Sequence, residues 1–237
     1  GIARQGGPGL GVVCADFNDD RWPDIYVAND HAANFLWINQ QDGTFQDEAL
    51  FRGTAVSAQG RPQASMGIAV GDVDGNGRID LLLTHLEGEN NSLYLGIDKK
   101  GFRESSARMG LASPSLGFTG FGTAFLDIEN DGDLDLMLGG KLLRNEMTTR
   151  RWLKVKLDAP STAAGKPVNR AAIGAQVRIV VPSLGTLVRQ VESGTGQGNQ
   201  NDLTMHFGLG QFSGTVQLEV FWPDGTKQWL QAQPDQT

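Results

Sequence analysis

The chain has 237 residues and a formal net charge of −7, with 39% hydrophobic and 20% charged residues. This composition is typical of a soluble globular protein and argues against a disordered one. Without a basic stripe, an acidic chain is not expected to bind nucleic acid, because phosphate binding needs clustered Lys and Arg. No apolar run reaches the roughly 18 residues of a membrane span. A single cysteine excludes an internal disulfide, and we expect Cys14, in its apolar run, to be a buried, inert thiol.

Three acidic segments, 16–24, 72–80 and 127–135, repeat at intervals of about 55 residues. A run of small residues precedes each segment, and an apolar strand follows it. A second hairpin comes after the first two segments, at 34–45 and 91–102. Short strands joined by Gly, Asn and Asp turns predict an all-β fold, with sheets arranged radially as the blades of a β-propeller.

Each acidic segment carries oxygen ligands at positions 1, 3, 5 and 9, and position 7 offers its backbone carbonyl. Calcium prefers six to eight such oxygens in flexible geometry. The spacing therefore predicts about three calcium ions. The predicted ligands are Asp16, Asn18, Asp20, Trp22 and Asp24 in loop 1; Asp72, Asp74, Asn76, Arg78 and Asp80 in loop 2; and Asp127, Glu129, Asp131, Asp133 and Asp135 in loop 3.

The alternative is that Asp, Asn and Gly are present only because they form turns well. Several carboxylates in one turn repel each other by about 1 kcal/mol per close pair even in water, which disfavours three such turns without a cation. Three calcium ions would also bring the net charge from −7 to about −1. Loop 3 departs from the other two by its longer Glu129.

Residues 150–237 alternate apolar and polar positions in about six segments separated by Gly, Pro and Asn. This pattern predicts a small β-sandwich. Examples are the segments 152–157, 175–181, 187–191, 203–207 and 216–221. The polar stretch at 145–150 places the boundary between a propeller domain, 1–149, and a sandwich domain, 150–237.

The stretch Phe121-Gly122-Thr123-Ala124, followed by the acids of loop 3, resembles the FG-GAP/VCBS repeats that form integrin α-subunit propellers. The resemblance covers residues 9–146 and implies calcium in the loops. The remainder is similar to the ASPIC/UnbV domain, which follows such repeats in secreted proteins, although 197–200 departs from the usual turn. The matching stretches are 151–155, 173–177, 191–196, 206–210 and 220–225.

Propellers close with about four to eight blades, and this chain holds three. We therefore expect a fragment of a longer protein or a subunit of an assembly. The expected function is an extracellular, periplasmic or cell-surface module that binds protein or carbohydrate and is not an enzyme. The alternatives are a structural subunit of a surface assembly and a non-catalytic ancillary domain of a secreted polysaccharide-acting enzyme. The nearest catalytic candidates, Asp30, His31 and His85, are more simply polar residues where strands end.

Overall fold

The computed structural model describes residues 2, 6–98, 101–147, 151–159, 162–163, 166–167, 169–196 and 199–237. Strands make up 41% of the structure and helices 4%, which confirms the all-β prediction. Every strand pairing within these ranges is antiparallel, as expected for hairpins joined by tight turns. No helix within them is long and apolar enough to cross a membrane.

The first part of the chain forms three sheets in sequence order. The first contains β1 (Gly9–Ala15), β2 (Asp24–Asn29), β3 (Phe35–Asn39) and β4 (Phe45–Asp47). The second contains β5 (Ile68–Gly71), β6 (Asp80–Leu83), β7 (Ser92–Asp98) and β8 (Gly101–Glu104). The third contains β9 (Thr123–Leu126), β10 (Asp135–Leu138) and β11 (Lys141–Leu143). Short helices, α1 (Ala49–Arg52) and α2 (Ala112–Ser115), follow the first two sheets.

The three sheets stack face to face because alternate side chains of a strand point to opposite faces. In β6, Leu81 and Leu83 pack in one core cluster with Tyr26 of the first sheet. Leu82, between them, packs in a second cluster with Leu136 of the third sheet. Every residue of β6 is buried as a result. The stack is therefore a partial β-propeller of three blades, as the sequence predicts.

The first strands of neighbouring blades approach closely at glycine positions. A Cβ on Gly11 would lie 2.4 Å from the Met66 carbonyl oxygen, and one on Gly67 would lie 1.7 Å from that of Phe121. Only glycine fits such an approach. The small-residue runs before the acidic segments thus let the inner strands meet. The starts of the loops that follow these strands, including Asp16 and Asp127, then line one cavity.

Within its described residues, the C-terminal part contains one four-stranded sheet and two strand pairs. The sheet contains β15 (Gln176–Val181), β16 (Gly185–Gln190), β18 (Val216–Phe221) and β19 (Lys227–Ala232). Its strand order is β16-β15-β18-β19. The pairs join β12 (Arg151–Val155) to β17 (Met205–Gly210) and β13 (Thr162–Ala163) to β14 (Lys166–Pro167).

One apolar core fills the space between the C-terminal sheet and the β12–β17 pair. Val177 and Val220 come from the sheet, and Leu153 and Phe207 from the pair. This two-layer packing makes the region sandwich-like, as predicted. Residues 148–150 of the predicted boundary, and 197–198 of the departing turn, lie outside the described residues, and the boundary stays a prediction.

Candidate metal centre

Each acidic segment forms the turn between the first two strands of its blade. The carboxylates at its first and ninth positions are buried in all three loops; they belong to Asp16 and Asp24, Asp72 and Asp80, and Asp127 and Asp135. A buried carboxylate is costly unless hydrogen bonds, a cation or a proton compensate it. The partners of these six groups therefore indicate what each loop can hold.

The ninth carboxylate clamps each turn to the blade. It accepts one backbone N–H from the second residue of the loop and one from the third strand or the residues just after it, at 2.7 to 3.1 Å. The donors are Phe17 and Asn39 for Asp24, Val73 and Gly96 for Asp80, and Ile128 and Asn145 for Asp135. This carboxylate therefore has a structural role that the sequence did not predict.

The first carboxylate distinguishes loop 2 from the other two loops. Both oxygens of Asp16 accept backbone N–H groups, from Asp20 at 3.0 Å and Arg21 at 2.7 Å. In loop 2, Gly77 donates to Oδ2 of Asp72 at 2.7 Å. Oδ1 of Asp72 is buried and has no hydrogen-bond partner among the described residues. An acceptor left in this state is where a cation fits.

Only in loop 2, among the described residues, do three carboxylates converge. One oxygen each of Asp72, Asp74 and Asp80 lies within 4.8 Å of the others. Asn76 donates to the Gly96 carbonyl at 2.9 Å, and its own side-chain oxygen accepts the backbone N–H of Arg78, the next predicted ligand, at 2.8 Å. Loop 2 thus has the oxygen-rich donor set that suits calcium.

Burial dominates the electrostatics of these loops. It raises the pKa of Asp16 and Asp72 to about 6 and that of Asp24 to about 7, despite the hydrogen bonds they accept. The pKa of Asp80 is raised well above its ordinary value by burial and by the charges of Asp72 and Asp74. A nearby cation is one of the few factors that would favour the ionised forms at neutral pH.

The remaining predicted ligands of loop 1 do not form a comparable cluster. Asn18 donates to Asp20 at 3.0 Å, and the backbone N–H of Trp22 donates to the same carboxylate at 2.8 Å. The Trp22 side chain is exposed, which fits its predicted role through the backbone carbonyl alone. Arg78 of loop 2 likewise turns its side chain away, to an ion pair with Asp19.

In loop 3 the predicted ligands meet cations of the chain itself. Glu129 forms an ion pair with Arg144, and Asp131 accepts the backbone N–H of Asp133 at 3.1 Å. The carboxylate of Asp127 forms an ion pair with Lys154 at 2.9 Å. The longer Glu129 side chain is therefore engaged by an arginine that the sequence analysis did not consider.

Sequence comparison matches residues 16–83 and 72–138 to the FG-GAP-like repeat, and residues 165–237 to the ASPIC and UnbV domain. The chain belongs to the FG-GAP-like repeat family. Each of the two overlapping repeat matches starts at the first Asp of one loop and extends through the next. The pair therefore covers all three loops.

Cartilage acidic protein 1 is similar to almost the whole chain. The human protein is 24% identical across 95% of this chain and 42% of its own length. The Xenopus tropicalis protein is 28% identical across 92% of this chain and 34% of its own length, and the mouse protein is 24% identical. The chain thus spans only about two fifths or less of the length of these curated relatives.

The ASPIC and UnbV part of this FG-GAP-like protein directs basic side chains at the loops. Arg178 of β15 donates to the Arg21 carbonyl in loop 1 at 3.3 Å. Arg189 of β16 donates to the Gly77 carbonyl in loop 2 at 3.5 Å. Sequence reasoning missed both residues, because a contact between positions 112 or 157 residues apart leaves no signal in local spacing.

The histidines of the FG-GAP-like blades differ in environment. His85 is buried, with Nε2 3.1 Å from Ser65 Oγ and Nδ1 3.1 Å from the Asn90 carbonyl oxygen. Burial lowers the pKa of His85 to about 4, so its ring is neutral at pH 7. His31 is exposed and lies 3.7 Å from Asp30. Both ring nitrogens of His85 are therefore in contact with groups of the protein itself.

A cavity of about 350 Å³ separates the inner strands of the FG-GAP-like blades from the ASPIC and UnbV part. Cys14 lines it and is half-buried instead of fully buried as predicted. Burial, together with the nearby Glu192, raises the pKa of the Cys14 thiol. The thiol form is therefore favoured, and thiols react more slowly than thiolates.

Proposed function

We propose that this chain is an extracellular, calcium-binding β-propeller module that binds a protein or carbohydrate and has no catalytic activity. The observation that carries the proposal is loop 2, where three carboxylates converge and the buried Oδ1 of Asp72 has no hydrogen-bond partner among the described residues. Calcium would be held there by Asp72, Asp74 and Asp80. It would supply the charge that makes three close carboxylates compatible with burial.

The proposal extends to about three ions because loops 1 and 3 repeat the buried first and ninth acids. Six positive charges would then offset most of the formal net charge of −7. Most of the negative charge of the protein would thus be neutralised by the bound metal ions. Open carboxylate loops of this kind suit extracellular calcium, whose sites bind with dissociation constants of roughly 10⁻⁴ to 10⁻³ M.

Two observations support a location and partners outside the cell. The matched relatives are named for cartilage, an extracellular matrix, and they share both repeat and C-terminal regions with this chain. The blades present turns and loops at the ends of their strands. Loops on a rigid scaffold are where binding residues concentrate. We therefore assign ligand binding to the loops between strands.

A structural subunit of a larger assembly is the second candidate, and the outer faces of the stack favour it. On the first blade, Leu10 and Val12 are 39% and 51% exposed. On the third blade, Met137 and Leu142 are paired across strands, and each is 38% exposed. Such faces would be covered by further blades or by other subunits. Native mass measurement of the purified chain tests this candidate, and a monodisperse monomer would count against it.

Thermal unfolding in EDTA and in millimolar calcium tests the calcium proposal. At 1 mM calcium, sites with dissociation constants of roughly 10⁻⁴ to 10⁻³ M would each add about 0.4 to 1.4 kcal/mol to the free energy of unfolding. We expect a higher Tm in calcium, and we expect Asp72→Asn to lose a large part of the increase. Asp42→Asn is the matched control, because Asp42 is an exposed turn residue that only caps Thr44. Equal Tm values in EDTA and calcium would refute the proposal.

A further inference from the structure

The third loop is docked against a lysine of the C-terminal part. Lys154 lies on β12, and its ammonium contacts three oxygens of loop 3. These are Oδ2 of Asp127 at 2.9 Å, the Asp127 carbonyl oxygen at 3.4 Å and Oδ1 of Asn130 at 2.8 Å. An ammonium has three donors, so its hydrogen-bonding capacity is filled within this one loop.

The contact is shielded from solvent. The Lys154 side chain is 11% exposed and that of Asp127 is not exposed at all. The ammonium also lies 5.3 Å from the centre of the Trp152 ring, and that ring packs directly on Gly132 of the same loop. Little water is therefore present to screen the ion pair, and a second cation at Asp127 would repel the ammonium strongly.

Loop 2 has a basic neighbour from the C-terminal part too, but it makes a different contact. Arg189 donates to the carbonyl oxygens of Gly77, His206 and Val188 and forms no hydrogen bond to a loop carboxylate. Its charge nevertheless offsets part of the burial that raises the pKa of Asp72. Oδ1 of Asp72 is left without a partner there. In loop 3, by contrast, Asp127 and Glu129 each form an ion pair with a basic side chain, Lys154 or Arg144.

We infer that Lys154 is a built-in counter-cation of loop 3 that competes with calcium for the Asp127 carboxylate. This inference rests on the calcium proposal and concerns the order in which the loops fill. Loop 2 fills first, and loop 3 fills only as Lys154 leaves. Calcium binding at loop 3 therefore weakens the contact between β12 and the third blade. By the same coupling free energy, that contact weakens calcium binding.

Residue 130 offers a second way to weaken the lysine contact. Asn130 stands at position 4 of loop 3 with a φ of 59°, where loop 2 has Gly75 with a φ of 64°. Glycine adopts this conformation without strain. Asn130→Gly therefore removes one acceptor of Lys154, keeps the loop backbone and changes none of the proposed calcium ligands.

Isothermal titration with calcium of the chain and its variants tests the inference. Lys154→Met keeps an unbranched stem over Trp152 and removes the charge. We expect this variant to bind calcium at loop 3 about tenfold more tightly, within the usual range of coupling between sites. Asn130→Gly should give a smaller gain in the same direction. Adding Asp127→Asn to Lys154→Met should abolish the gain, which assigns it to loop 3.

Lys156→Met is the control, because Lys156 is an exposed lysine that follows directly after β12. Unchanged calcium binding in both Lys154→Met and Asn130→Gly would overturn the inference and leave the calcium proposal standing. If Lys154→Met does not fold, Asn130→Gly alone decides, by a gain or by no change. If neither the original chain nor any variant binds calcium, the calcium proposal fails, and this inference fails with it.

Discussion

Loops 2 and 3 have the same spacing of acids and the same clamp, yet their carboxylates meet different partners. Asp80 and Asp135 each tie their turn to the blade through two backbone N–H groups. In loop 2 the first carboxylate keeps one buried oxygen without a partner, whereas in loop 3 the first carboxylate is paired with Lys154. Part of the difference lies within the loops, because Oδ1 of Asp127 accepts the N–H of Asp131 at 3.1 Å and Oδ1 of Asp72 accepts no such bond. The other part, the lysine, belongs to the residues that pack on the repeat.

The ninth and the first acid of each loop have different roles. The ninth acid builds the turn in every loop, because it satisfies buried backbone donors. The first acid provides charge, and the side chains around it determine how much of that charge is available to a metal. Spacing alone therefore identifies a family of turns, and we expect the neighbours of each turn to set any affinity for a cation.

The largest expected effect is at the clamp. Asp80→Ala leaves the buried N–H groups of Val73 and Gly96 without acceptors, at about 1–3 kcal/mol each. We expect this loss of unfolding free energy in EDTA, measured by urea denaturation, and a larger loss in calcium, where the variant also lacks a proposed calcium ligand. Asp135→Ala should cost a similar amount in the third blade, and Asp42→Ala at an exposed turn should cost far less. A loss seen only in calcium would mean that Asp80 acts as a metal ligand and not as a clamp.

The fold was predictable because its signals are local. Alternation and apolar runs mark β2 and β6, and the close approach of inner strands requires the glycines at 11 and 67. The short strand β11 and both four-residue helices escaped prediction, since each depends on packing rather than on a pattern of its own.

The candidate site was predictable only in part. The acids of loop 2 converge as the spacing suggests. The contacts of Lys154, Arg178 and Arg189 with the loops were not foreseen, because each joins residues 24 or more positions apart. Their sequence signal is only a basic residue in a predicted strand, and many such residues face solvent. Three-dimensional packing supplied the information that decides between the loops.

A smaller effect should appear in the pH dependence of the calcium response. Burial raises the pKa of Asp72 and Asp16 to about 6 and that of Asp24 to about 7, from an ordinary value of 3.8. In EDTA, the contribution of these groups to stability is therefore present at low pH and is lost as the pH rises through about 6 to 7. Calcium binds the ionised form, so its stabilising effect should increase over the same window.

The measurement is the difference between the Tm in calcium and the Tm in EDTA, at pH 5 and pH 7.5. Buried His85, whose pKa is lowered to about 4, acts in the opposite direction but equally in both solutions, so the difference removes its effect. We expect a clearly larger difference at pH 7.5, because each proton displaced by calcium is worth about 1.4 kcal/mol per pH unit. The same difference at both pH values would contradict ligation by these carboxylates.

The smallest expected effect is at Arg178, and it sharpens the contrast between loops. Arg178 lies over the Phe221 ring at 3.9 Å, and its hydrogen bond to loop 1 goes to the Arg21 carbonyl and not to a carboxylate. Arg178→Met should therefore cost about 1 kcal/mol, as expected for a half-buried cation–π contact and two long hydrogen bonds, to Arg21 and Gln176. Calcium titration of this variant should match that of the original chain, since no carboxylate is released. A gain in calcium affinity as large as that expected for Lys154→Met would mean that any nearby positive charge weakens the loops, and that the direct contact with Asp127 is not what sets loop 3 apart.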